Sequence, residues 1–141
     1  MRIFLDANIL VSVLNKEYPV FPYSSRVLGL TGNKNFLVFT SPICVAIAFY
    51  FAEKKSGTAL ARQKMEILTN KINIATTDHE TVLQTLKNKA VEDFEDGLEY
   101  YTAVQAKCQC IITEDIKDFY FSKLEVLSAE EFLVKYFMTS K

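Results

Sequence analysis

The sequence has no tryptophan, one histidine, four glycines placed singly and three cysteines. Each shortage closes off a class of chemistry. Scattered glycines cannot form the glycine-rich loop that cradles a nucleotide's phosphates. The lone His79 sits beside Asp78 at a helix start, with no serine or cysteine motif around it, so it reads as surface chemistry. Cys44, Cys108 and Cys110 are odd in number. Cys108 and Cys110 lie two apart near a strand start and face one side, but no further cysteine or adjacent histidine completes a zinc set. Buried reduced thiols are the expectation. No unbroken apolar run reaches the roughly 18 residues of a membrane helix. No basic segment precedes a long apolar core at the start, so no signal peptide and a cytoplasmic setting are expected. The formal net charge is −1, too little positive charge to hold nucleic acid by charge alone. A polyanion partner would have to be met by a local basic patch, a metal or a partner chain.

Half of the 141 residues are hydrophobic and 23% are charged, the balance of a folded chain. A single domain over residues 1–141 is expected. Ile3-Phe4-Leu5 is a short apolar run suited to a strand buried on both faces. A helix is predicted from Asn8 to Asn15, broken by the Glu17–Pro22 segment with its two prolines. A second is predicted from about Tyr23 to Leu30, ended by Thr31-Gly32-Asn33 with a left-handed residue. Phe36–Thr40 reads as a strand. Ser41-Pro42 opens a helix to about Lys55, closed by Gly57. Another helix spans Ala59 to Thr69. A short strand follows at Ile72–Ala75, then a helix from Thr77-Asp78-His79-Glu80. Asp93 opens a further helix, Cys110–Thr113 is a fourth strand and Glu125–Leu127 a fifth. Ser128 caps the last helix, which carries Phe132, Leu133, Val134, Tyr136 and Phe137. Short apolar strands alternating with helices predict an α/β fold of three layers, α/β/α, around a parallel sheet of four or five strands.

The acids fall in a pattern on that frame. Asp6 follows the first strand directly. Asp115 and Asp118 lie just beyond the fourth. Asp93 and Asp96 sit where the preceding helix starts, and spacing by three places them on neighbouring parts of one helix face. A helix returning to the next parallel strand starts at the carboxyl rim, where open α/β sheets bind ligands. Converging carboxylates repel. At 4 Å a like-charged pair costs on the order of 4 kcal/mol at an effective dielectric near 20. Either one acid takes up a proton or a divalent cation sits among them. Oxygen donors suit Mg2+ or Mn2+.

These residues are where the chain resembles PIN-domain proteins, in particular VapC-type toxins. Leu5-Asp6-Ala7-Asn8-Ile9-Leu10 matches the opening strand and D-x-N motif. Asp96-Gly97-Leu98, with Ala103 seven residues after the acid, matches the acid-led helix. Ile111-Ile112-Thr113-Glu114-Asp115-Ile116-Lys117-Asp118-Phe119 matches the threonine-ended strand and its loop. The resemblance implies a PIN-like fold and a Mg2+- or Mn2+-dependent ribonuclease that hydrolyses RNA. It further implies a toxin partnered by a small antitoxin, usually dimeric. Asp6, Asp96 and Asp115 would be the metal-centred catalytic acids, with Asp118 the substitute for Asp115 and Asn8 and Thr113 in support. One position departs: where the family carries glutamate in an S-P-x-x-x-x-E pattern, this chain has Ile47. Two consequences stay open. Either the protein is a PIN-like scaffold that binds RNA or protein without cutting, or Asp93 replaces the lost acid from across the cleft. Apolar surface from Val20 to Leu30 and Ala59 to Leu68 offers an antitoxin a landing site.

Overall fold

In the computed structural model, which describes residues 1–138 apart from the Met138 side chain, the opening apolar run forms β1 (Arg2–Leu5). Ile3, Phe4 and Leu5 have no exposed surface. Burial on both faces is what a central strand demands, and β1 pairs in parallel on both sides. One neighbour is β2 (Leu37–Thr40), with Phe4 opposite Phe39. The other, β4 (Cys110–Ile112), places Ile111 opposite Phe4. β3 (Asn73–Ile74) and β5 (Glu125–Leu127) complete an all-parallel, five-stranded sheet of order β3-β2-β1-β4-β5.

Helices cover both faces. They are α1 (Ala7–Leu14), α2 (Phe21–Leu28), α3 (Pro42–Ser56), α4 (Thr58–Thr69), α5 (His79–Lys87), α6 (Phe94–Gln105) and α7 (Ala129–Leu133). Their starts follow capping chemistry. Ser41 accepts the Cys44 N–H, with proline next to it in the first turn of α3. Asp78 and Thr81 exchange bonds across the start of α5, and Ser128 and Glu131 do the same at α7. Gly57 closes α3 at φ +83°, a conformation that favours glycine.

Several elements depart from the sequence expectation. α2 begins at Phe21 and takes Pro22 into its first turn, where the missing N–H is no loss. Its end has no left-handed residue at Gly32 or Asn33. The chain instead tightens into a 3-10 turn over Gly29–Gly32, and Asn33 N–H bonds the Leu30 carbonyl. β3 is shorter than Ile72–Ala75 because the Ile72 N–H still serves the end of α4 at the Leu68 carbonyl. Asp93 stays beside Asp96 at the start of α6, but as the residue just before the helix and not within its first turn. It caps α6, its Oδ1 accepting from the N–H groups of Glu95 (2.9 Å) and Asp96 (3.2 Å). Past α7 the chain widens into a π-helical turn, Val134–Met138. The three thiols are free and buried.

α6 is held close to α5 at Gly97. A Cβ there would lie 2.5 Å from Thr85 Cγ2 and 2.7 Å from Val91 Cγ1. Overpacking of this kind costs about 1–3 kcal/mol, against about 1 kcal/mol gained in helix propensity. Gly97→Ala should therefore lose about 1 kcal/mol on balance in urea denaturation. A gain in stability would show that the α5–α6 contact gives way freely.

Candidate active site

β1 delivers Asp6 to the carboxyl rim. The Asp6 N–H still bonds the Ile112 carbonyl (3.0 Å), so the ladder to β4 holds the residue in place as α1 begins. Its side chain caps that helix: Oδ1 accepts from the Ala7 N–H at 2.6 Å. Oδ2 accepts from the Thr113 hydroxyl at 2.7 Å and from Asn8 Nδ2 at 3.4 Å. Thr113, fully buried one residue past β4, accepts in turn from Asn8 Nδ2 (3.1 Å) and the Asp115 N–H (3.0 Å). Asn8 also donates to Asp115 Oδ2 (3.2 Å) and accepts from the Glu114 N–H (3.1 Å). The D-x-N turn and the loop after β4 are thus laced into one unit. Asp6 is 7% exposed, a carboxylate with its position fixed by three donors.

Around this unit lies a cleft of about 430 Å³. Asp6, Glu17, Asp93, Glu95, Asp96, Glu99, Asp115 and Asp118 line it, together with Ala7, Asn8, Val11, Ile47 and Phe51. Eight lining residues are acids and none is basic. The structure therefore brings Asp6, Asp93, Asp96, Asp115 and Asp118 to one cavity, with Asn8 on its wall and Thr113 behind it. Lys54, Lys55 and Arg62 do not line it; Lys55 bonds the Asn15 carbonyl instead.

Glu99 was not anticipated. It lies three residues after Asp96 on α6 and is 2% exposed. A carboxylate oxygen of Glu99, one of Asp6 and Cys44 Sγ all lie within 4.8 Å of one another. The spacing from Asp96 to Glu99 was the available signal, since residues three apart share a helix face. Ile47 enters the same cleft from α3.

Crowding and burial show in the protonation of these groups. Burial first, then the charges of Asp93, Asp118, Asp6 and Glu95, push the Asp96 carboxyl up to about 7. Burial and then the charge of Asp6 raise Glu99 far above the carboxylate range, so without a cation it holds a proton at neutral pH. Burial and the charges of Asp115, Asp6 and Asp93 raise Asp118 as well. Burial also raises the thiol of Cys44. The donor set fits a hard divalent cation, which would take the place of those protons.

The Asp96 value in the folded chain, about 7, lies above its ordinary 3.8. Its contribution to metal-free stability is complete below about pH 4 and is lost as pH rises through about 7. Stabilisation by Mn2+ should grow over the same window, as protons stop competing. Thermal melts with and without Mn2+ at about pH 5 and about pH 8 check this; a shift no larger at the higher pH would contradict it.

The arrangement has relatives. A family model described as PIN domain matches residues 2–117. Ribonuclease VapC1 of Aquifex aeolicus is 26% identical over 135 residues, covering 93% of this chain and 92% of that protein. Among solved structures, VapBC2 of Rickettsia felis bound to a DNA fragment from their promoter matches with a TM-score of 0.69 and 18% identity, over 91% of this chain and 98% of that one. VapBC-1 of nontypeable Haemophilus influenzae matches with a TM-score of 0.68 and 19% identity, over 92% and 99%. Mycobacterium tuberculosis VapC20, described as a sarcin-ricin loop cleaving toxin, matches with a TM-score of 0.61 and 16% identity, over 77% and 86%. With a family match over most of its length and the parallel sheet that carries it, the chain belongs to the PIN-domain family.

Proposed function

We propose that this protein is a divalent-metal-dependent ribonuclease, the toxin of a toxin–antitoxin pair, with Mg2+ or Mn2+ as the cation. The observation that carries the reading is a cleft at the sheet's carboxyl rim lined by eight acids and no base. Left to itself, such a cleft repels a phosphodiester. When bound, a divalent cation offsets the charge of the scissile phosphate and makes water a better nucleophile at neutral pH.

The chain's own residues have separable tasks. Asp6, Asp96 and Asp115 would hold the cation, with Asp118 lining the same cleft. Asn8 and Thr113 do not bind it; they keep the Asp6 and Asp115 carboxylates in register through the bonds described above. Asp93 spends Oδ1 capping α6, which orients Asp96. The ribonuclease name of the Aquifex relative and the toxin–antitoxin pairs among the structural neighbours support the substrate and the partner. A small antitoxin has an apolar groove to occupy. Val13, Leu14, Leu28, Ile67 and Leu68 line it, with Lys16, Lys64 and Lys71 along its edge, a surface suited to an amphipathic helix with an acidic flank. A homodimer in the cytoplasm, with no membrane attachment, belongs to the same reading; among the described residues no helix is long and apolar enough to cross a membrane.

The alternative of a scaffold that binds without cutting drew its support from Ile47. Glu99 in the same cleft weakens that support, because it adds an acid near Asp6. The test is incubation of the purified chain with single-stranded RNA and Mn2+. Cleavage that stops with a chelator and in Asp96→Asn supports the nuclease. RNA retained without cleavage would favour the scaffold.

A further inference from the structure

Glu99 sits where an uncompensated acid is costly. It is 2% exposed, and no basic side chain lines the cleft it enters. Among the described residues, its carboxyl meets the Cys44 thiol, bonded to Oε1 at 3.2 Å, and the Asp6 carboxyl group. A thiol is a weak donor and neither group supplies positive charge, so without a cation Glu99 keeps a proton in place of its charge. An apolar residue or a glutamine would fill the space without that cost, so burial alone does not account for an acid. The geometry does. Glu99 lies one turn beyond Asp96 on α6, and its oxygen, an Asp6 oxygen and Cys44 Sγ are within 4.8 Å of one another. The opposing position on α3 is Ile47, which lines the cleft and offers no ligand.

We propose that Glu99 is a direct ligand of the divalent cation, supplying from α6 the carboxylate that α3 lacks at Ile47. This rests on the reading of the cleft as a cation-dependent nuclease centre. α6 then presents two ligands, Asp96 and Glu99, three residues apart on one face. Asp6 joins them from the end of β1. Cys44 is a positioning residue: its bond to Oε1 turns the Glu99 carboxyl within its buried seat.

The test is calorimetric titration of Mn2+ into the full chain, Glu99→Gln, and Glu99→Gln combined with Ile47→Glu, with metal-free thermal melts as the control on folding. Glutamine keeps the side chain's size and can still accept from Cys44, so a purely structural role predicts unchanged Mn2+ affinity. As a ligand, Glu99 predicts that Glu99→Gln melts no lower than the parent without metal but binds Mn2+ at least about ten-fold more weakly. Adding Ile47→Glu then recovers part of the loss, because the acid returns from the opposite wall. Binding by Glu99→Gln as tight as the parent's, or a double variant no tighter than Glu99→Gln, overturns the assignment while leaving the nuclease reading intact. A parent chain that takes up no Mn2+ overturns both.

Discussion

Asp6→Asn should cut the rate of Mn2+-dependent RNA cleavage on the order of 1000-fold, about 4 kcal/mol of transition-state stabilisation, while the chain stays folded. Two effects combine in that one atom change. The charge at the centre of the cleft is removed, and with it the main attraction for a cation among carboxylates that otherwise repel one another. The hydrogen-bond pattern is also inverted. Oδ2 accepts from both the Thr113 hydroxyl and Asn8 Nδ2, so an amide nitrogen there would face donors. If the amide turns its oxygen towards them, its nitrogen meets the Ala7 N–H that now binds Oδ1 at 2.6 Å. Single-turnover cleavage of a labelled RNA gives the rate, and a thermal melt verifies the fold. A rate within ten-fold of the parent would place the chemistry elsewhere.

Phe4→Ala should destabilise the fold by about 3–5 kcal/mol, a large share of the roughly 5–15 kcal/mol that keeps a domain folded. Phe4 has no exposed surface, and its strand is flanked on both sides by paired strands. A cavity at that point cannot be closed by a shift of a surface helix, because the neighbours Phe39 and Ile111 are fixed by their own ladders. Urea denaturation measures the loss. A cost below about 1 kcal/mol would mean that β1 is not the rigid centre of the sheet.

Both predictions concern β1 and the turn after it, the part of the molecule that the sequence expresses most openly. Ile3-Phe4-Leu5 followed by an acid can only be a buried strand running into a polar rim if the chain folds as α/β at all. Asp115 and Asp118 were legible for the same reason, since they follow a second such run, Cys110–Ile112. Glu99 was hidden because it lies within Leu98-Glu99-Tyr100-Tyr101, where nothing local distinguishes a cleft-facing glutamate from a solvated one. Only the packing of α6 against the sheet decides which way it points. Asp93 opens α6 as expected, but as its cap and not as a residue of its first turn. An acid that caps a helix and an acid one position inside it look alike in sequence, yet the first turns an oxygen onto the backbone. The end of α2 was missed because Gly32 invites a left-handed stop, while a 3-10 turn satisfies the same carbonyls without one.

A crystal of the protein soaked in Mn2+ and measured at the manganese absorption edge would show directly whether the acid cleft is a cation site. The expected result is an anomalous peak in the acid cleft, within coordinating distance of the Asp6 and Asp96 carboxylates. A fully occupied peak confined to other surface acids, or none at saturating Mn2+ near pH 8, would contradict it.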